Sequence, residues 1–169
     1  APIVPNTYKE IGATLLKDLR PAVYAGTLVR EGLAYVGHSN GSLYAFDTTT
    51  GEVRWTFNMG DILCATPVWH EGKVIFVTPS GEFIALDGKT GKVVWKLQAD
   101  GSVVGDPVVV GDMLYYYGTT ADEESCTVYR YDLNTDTETV LWEIDETVYY
   151  AAYWDGEYFV TTTYDIYAI

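Results

Sequence analysis

The chain has 169 residues, 48% of them hydrophobic and 15% aromatic, which suffices for one domain with its own core and excludes a disordered tail. Only 10 Lys and Arg stand against 24 Asp and Glu, and a formal net charge of -14 excludes nucleic acid as a partner and disfavours anionic membranes. No apolar run approaches the roughly 18 residues that cross a bilayer, so no membrane insertion is expected.

Residues 9–20 carry only a partial helical stripe of Ile11, Leu15, Leu16 and Leu19. Beyond them the text is that of short strands, runs of four to seven β-branched and aromatic residues between Gly-, Asn- or Asp-bearing turns. Residues 66–69 lead into the turn His70-Glu71-Gly72, and 73–78 run to Pro79-Ser80-Gly81. Then 82–86 reach Asp87-Gly88-Lys89-Thr90-Gly91, and 92–97 complete a unit of four strands. Neighbouring units align on Gly32, Gly72, Gly111 and Gly156 in the first turn, and the third is lengthened around 119–125.

The units are copies. Residues 45–55 and 85–95 share the frame A-x-D-x-x-T-G-x-x-x-W at a distance of 40, and a degraded copy runs over 132–142. A period near 40 with four strands per unit predicts the blades of a β-propeller. In the frame, Asp47 and Asp87 with the following Thr bond the turn backbone, while Gly51 and Gly91 supply positive φ. Trp55 and Trp95 begin the outer strand and fill the wedge between diverging sheets. The third copy keeps Asp132, lacks the Gly and delays its Trp142, predicting a less regular docking.

With these residues the chain resembles the PQQ-like, or quinoprotein-like, propeller repeat family with its tryptophan-docking motif, over about residues 21–169. The resemblance implies an all-β propeller of four blades, about 21–63, 64–104, 105–149, and 150–169 completed by a strand from 11–19. The last blade has three strands in the text, and Leu15 falls where an outer-strand Trp would stand. A clasp of this kind removes two sheet edges at once. Two readings stay open: a closed ring of four, or two chains forming an eight-bladed ring as a homodimer. The family holds both quinone-dependent dehydrogenases and non-enzymatic scaffolds, and the resemblance also places the protein outside the cell or in its envelope.

No catalytic set emerges, and neither a cofactor nor a metal is expected. A polyanionic quinone needs cations that the chain scarcely has. Asp132, Asn134, Asp136, Glu138 and Glu143 follow a calcium-loop spacing, but Thr137 replaces its glycine and the flanks are strands. His38 and His70 fall in turns on opposite faces and read as exposed turn histidines. Cys64 and Cys126 lie towards one face as separate thiols, with a disulfide as the lesser reading. Of 15 tyrosines, about half are expected to pack between blades, and the rest to be available as an aromatic surface.

Ligands of propellers gather at the channel mouth. Here that face is expected to carry His38, Asn40, Asp61, Asp106, Asp122, Glu123 and Glu124. The reading is a non-catalytic module that binds or scaffolds another protein. The alternative is glycan recognition within a carbohydrate-active protein, and a quinone-dependent dehydrogenase fragment is the remote third.

Overall fold

Four antiparallel sheets follow one another along the chain in the computed structural model, which describes residues 25–60, 65–99, 102–103, 105–119, 125–162 and 164–168. The first contains β1 (Thr27–Arg30), β2 (Leu33–His38), β3 (Ser42–Asp47) and β4 (Val53–Asn58), paired in that order. The second repeats it with β5 (Val68–His70), β6 (Lys73–Val77), β7 (Glu82–Asp87) and β8 (Val93–Gln98). In the third, β9 (Ser102–Val103) pairs the far end of β11 (Met113–Thr119), which lies between β10 (Val108–Val110) and β12 (Cys126–Asp132), with β13 (Thr137–Ile144) outermost. The fourth has β14 (Val148–Trp154), β15 (Glu157–Thr162) and β16 (Ile166–Ala168). No helix occurs among the described residues, and the architecture is the all-β, four-bladed propeller that the repeat predicts. The strand expected at 11–19, with Leu15, lies outside the described residues.

Alternation along the strands builds the core between sheets. Tyr35, Leu43 and Ala45 face the second sheet and meet Val74, Phe76, Ile84 and Leu86. On the second sheet the other parity, Ile75, Phe83 and Ala85, meets Leu114, Tyr116 and Tyr131 of the third. Tyr117, Val128 and Ile144 then meet Val148, Tyr158 and Val160 of the fourth. The second and third sheets are therefore packed on both faces, which is why their middle strands read as near-continuous hydrophobic text.

The first two copies of the frame close their turns with the same main-chain bond. Asp47 Oδ1 accepts the main-chain N–H of Thr49 and Thr50 at 2.8 and 3.0 Å, and Gly51 N–H closes the turn on the Asp47 carbonyl at 2.7 Å. Asp87 takes the Thr90 N–H and hydroxyl at 2.8 and 2.7 Å, with Gly91 bonded to its carbonyl at 2.8 Å. Trp55 pairs with Ala45 and Trp95 with Ala85, each beside a β-bulge. Trp55 Nε1–H donates to the Gly88 carbonyl at 2.9 Å, across the joint, and Trp95 packs in the next joint with Leu133.

The third copy differs in a specific way. Asp132 accepts from Asn134 and Thr135 N–H, and Asp136 N–H bonds the Asp132 carbonyl at 3.0 Å. Asp136 adopts φ 58 and so stands where Gly51 and Gly91 stand. Aspartate tolerates this region better than most residues, so the turn survives without glycine. The strand beyond it holds two more residues before its tryptophan. Trp142 consequently pairs with Val128, two positions further along, and keeps the parity that points it at the fourth sheet.

Candidate binding face

Hairpins put the β2–β3, β6–β7, β11–β12 and β15–β16 turns on one face, with the connections that lead from each sheet to the next. Met59 N–H bonds the Gly41 carbonyl and Ala99 N–H bonds that of Gly81, tying connection to turn. His38 and Asn40 lie on this face. The opposite face carries the Glu31-Gly32 turn and the docking turns, linked by Thr48 N–H on the Gly32 carbonyl. His70 is there, so the two histidines do stand on opposite faces.

Neither histidine is an exposed turn residue. His38 is 4% exposed; its Nδ1 accepts the Asn40 N–H at 3.0 Å, which leaves the neutral ring protonated on Nε2. That Nε2 is buried without a hydrogen-bond partner. Asn40 in turn donates to the Tyr44 hydroxyl at 2.9 Å and accepts Ser42 N–H at 3.1 Å. His70 is also buried, with Nε2 2.9 Å from Asp112 Oδ1 on the next sheet. Together with Glu71 these form a cluster whose ligand atoms lie within 4.8 Å of one another. Sequence reasoning missed it. The signal was the inverted turn Gly111-Asp112, where the other units put glycine second and so carry no carboxylate there.

Asp106 is bound into the mouth rather than offered from it. Thr66 donates its N–H and hydroxyl to the Asp106 carboxylate at 2.6 and 2.8 Å, and Gly26 N–H donates to the Thr66 hydroxyl at 3.0 Å. Residues 26, 66 and 106 are one repeat position, so the bonds step from sheet to sheet around the axis. Asp61, Asp122, Glu123 and Glu124 of the expected face lie outside the described residues, as does Cys64. Cys126 is buried at this end of β12, and burial pushes its thiol up to about 12.

The calcium-like spacing does not converge on an ion. Asp132 is spent on turn N–H groups, Asp136 accepts the Tyr131 hydroxyl and Glu138 that of Tyr116. The three carboxylates therefore serve separate tasks.

On the fourth sheet this face is aromatic and acidic. Tyr149 is 64% exposed and Tyr164 83%, with Asp145 and Asp165 exposed beside them in the chain. Glu146 takes the hydroxyls of Thr162 and Tyr167. Among the described residues no Lys or Arg lies in any turn or connection of this face. A quinone bearing several carboxylates needs cations at that mouth, so the described residues do not fit such a group.

A family model described as outer membrane protein assembly factor BamB matches residues 17–83 and 39–154. Quinoprotein ethanol dehydrogenase of Pseudomonas aeruginosa is 31% identical over 134 residues, 68% of this chain and 22% of that protein. The chain thus spans about a fifth of the length of this curated relative. Among solved structures, BamB from Moraxella catarrhalis superposes with a TM-score of 0.63 at 20% identity, over 83% of this chain and 44% of that one. The computationally designed Ika4 protein superposes at 0.69 with 14% identity, over 89% and 93% respectively. At these identities the two structures speak for the fold alone.

Proposed function

This chain belongs to the PQQ-like repeat family, and on that premise we propose that it is a non-catalytic propeller module that binds a protein partner carrying a cationic surface. The observation that carries the reading is the acidic, tyrosine-rich end of the fourth sheet, where Tyr149, Tyr164, Asp145 and Asp165 are exposed on a face whose described turns and connections hold no Lys or Arg. Tyrosine gives large contact area at small entropic cost and is enriched in interfaces. The carboxylates steer a basic partner and speed its approach. The family model's description, an assembly factor, agrees with a scaffolding role, and an envelope location goes with it. The dehydrogenase names of the relatives describe proteins of which this chain covers about a fifth and are not carried over.

An Arg- and Lys-rich peptide titrated into the purified chain tests the reading. Saturable binding is expected that weakens steeply with salt and drops about tenfold in the double variant Tyr149→Ala, Tyr164→Ala. Unchanged affinity in that variant sinks it. The same exposed tyrosines favour a second reading, glycan recognition by ring stacking, which salt-insensitive binding on a glycan array supports instead. A red shift in absorbance on adding quinone with calcium overturns the non-catalytic assignment.

A further inference from the structure

The repeat makes the sheet-to-sheet joints comparable position by position. Tyr35, Ile75, Tyr115 and Phe159 occupy one position on the side of each sheet that looks towards the following sheet, paired across to 45, 85, 130 and 168. Leu43, Phe83, Val128 and Ile166 occupy the position next to it. In the first three sheets these second residues are wholly buried, yet Ile166 is 74% exposed, and so is Trp154 at the far end of β14. Among the described residues the other side of the first sheet is equally without a packing partner. Its Ala34 and Val36 are half-buried, whereas the matching pairs Val74 and Phe76, Leu114 and Tyr116, and Tyr158 and Val160 are all 1% exposed or less. Among the described residues no cluster joins the first and fourth sheets.

The internal joints also say what each open face takes. Phe83 lies 4.8 Å from Tyr116, ring to ring, so the position of Ile166 meets the position of Val36. Tyr35 lies 5.8 Å from Trp69, and Tyr115 6.0 Å from Tyr153, so the position of Phe159 meets that of Val29, itself 52% exposed. The sizes are complementary. Trp154, Phe159 and Ile166 on the fourth sheet are large, whereas Gly32, Ala34 and Val36 on the first are the smallest set of their kind in the four sheets.

We propose that a second copy of this chain covers both faces, the fourth sheet of each copy packing on the first sheet of the other. Two identical joints then close one ring of eight sheets. A heterologous contact that closes on itself in this way gives a finite pair instead of a fibre. It also buries apolar faces that a lone soluble chain rarely leaves open. The interaction goes beyond the partner-binding face, because it uses the sides of the end sheets and not the turns.

Sedimentation of the purified chain is expected to give twice its 18.8 kDa. A mass of 18.8 kDa at all concentrations, or an open series of larger species, overturns the closed pair. Ile166→Cys and Val36→Cys, made in separate chains and mixed under mild oxidation, are expected to form covalent heteropairs several-fold above either variant alone. No excess in the mixture overturns the joint. Ile166→Glu is expected to halve the mass while far-UV dichroism and basic-peptide binding persist; a pair that survives this change counts against the proposal. Failure of peptide binding alone leaves the pairing intact, so the two readings fail separately.

Discussion

The first and third joints of this propeller answer the same packing problem with different chemistry. Between sheets one and two, the Trp55 indole N–H and the Tyr35 hydroxyl both donate to the Gly88 carbonyl, at 2.9 and 3.2 Å. That approach needs bare backbone: a Cβ on Gly88 or on Gly91 comes within 2.6 Å of an indole ring. Between sheets three and four, Trp142 meets Tyr167 edge-on at 4.9 Å. Tyr115 packs on Tyr158 and Tyr153 at 5.4 and 6.0 Å to fill the rest of the wedge. What the joint requires is rigid aromatic volume; the Asp-Thr-Gly-Trp frame is one means of supplying it, and the one that demands glycine.

The contrast is broken most forcefully at Gly91. Its φ of 69 disfavours any β-branched residue, and a side chain there strikes Trp55. Gly91→Val is expected to cost about 3 kcal/mol or more in urea denaturation. Val at Thr137, one residue beyond the matching turn position in the third copy, is expected to change little, since that residue is exposed. Next come the wedges themselves. Trp55→Ala is expected to cost about 3 kcal/mol, through lost volume and the unmade bond to Gly88. Trp142→Ala, which loses ring contact without a main-chain bond, is expected to cost about 2 kcal/mol. Equal losses at the two tryptophans contradict the distinction drawn between the joints.

A smaller effect comes from the turns, which all three docking copies share. The Asp47 carboxyl is held below its ordinary 3.8 chiefly by the Thr50 N–H, Asp87 by the Thr90 hydroxyl, and Asp132 by the Asn134 N–H. The unfolded chain therefore takes up these protons first as pH falls. Their contribution to stability is present above about 3.8 and is lost as pH drops through the lower folded-state values. The urea midpoint is expected to fall below about pH 4, and Asp87→Asn to flatten that fall. An equally steep fall in the variant removes this turn from the cause.

Sheet number, strand order and the first two docking turns were legible in the sequence because a 40-residue repeat writes each of them twice. The third turn was legible only in part. Its missing glycine suggested a less regular docking, but backbone conformation is what the turn needs, and Asp136 supplies it. His38 and His70 misled for a related reason. A histidine beside a glycine turn reads as surface, yet His38 is covered by its own Asn40 hairpin, and His70 by Asp112 from the neighbouring unit. Contacts across a joint are set by the meeting of two units, and no single unit's text records them. Asp106 illustrates the same point, since Thr66, its partner, is 40 residues away.

The smallest expected effect separates the two joints at a single oxygen. Tyr35 and Tyr158 are both fully buried, and burial is the chief cause that raises each phenol, Tyr35 to about 12. Tyr35 gives its proton to the Gly88 carbonyl, whereas the Tyr158 hydroxyl finds no hydrogen-bond partner. Tyr35→Phe therefore removes a made bond and is expected to cost about 1 kcal/mol, with Gly88 still served by Trp55. Tyr158→Phe removes a desolvated polar atom whose burial nothing offsets, and is expected to leave the urea midpoint unchanged or raise it by the equivalent of up to about 1 kcal/mol. The sign of the difference is the test. If Tyr158→Phe destabilises as much as Tyr35→Phe, the phenol of the third joint is bonded after all, and the contrast between a joint closed by polar contacts and one closed by ring packing fails at its most exposed point.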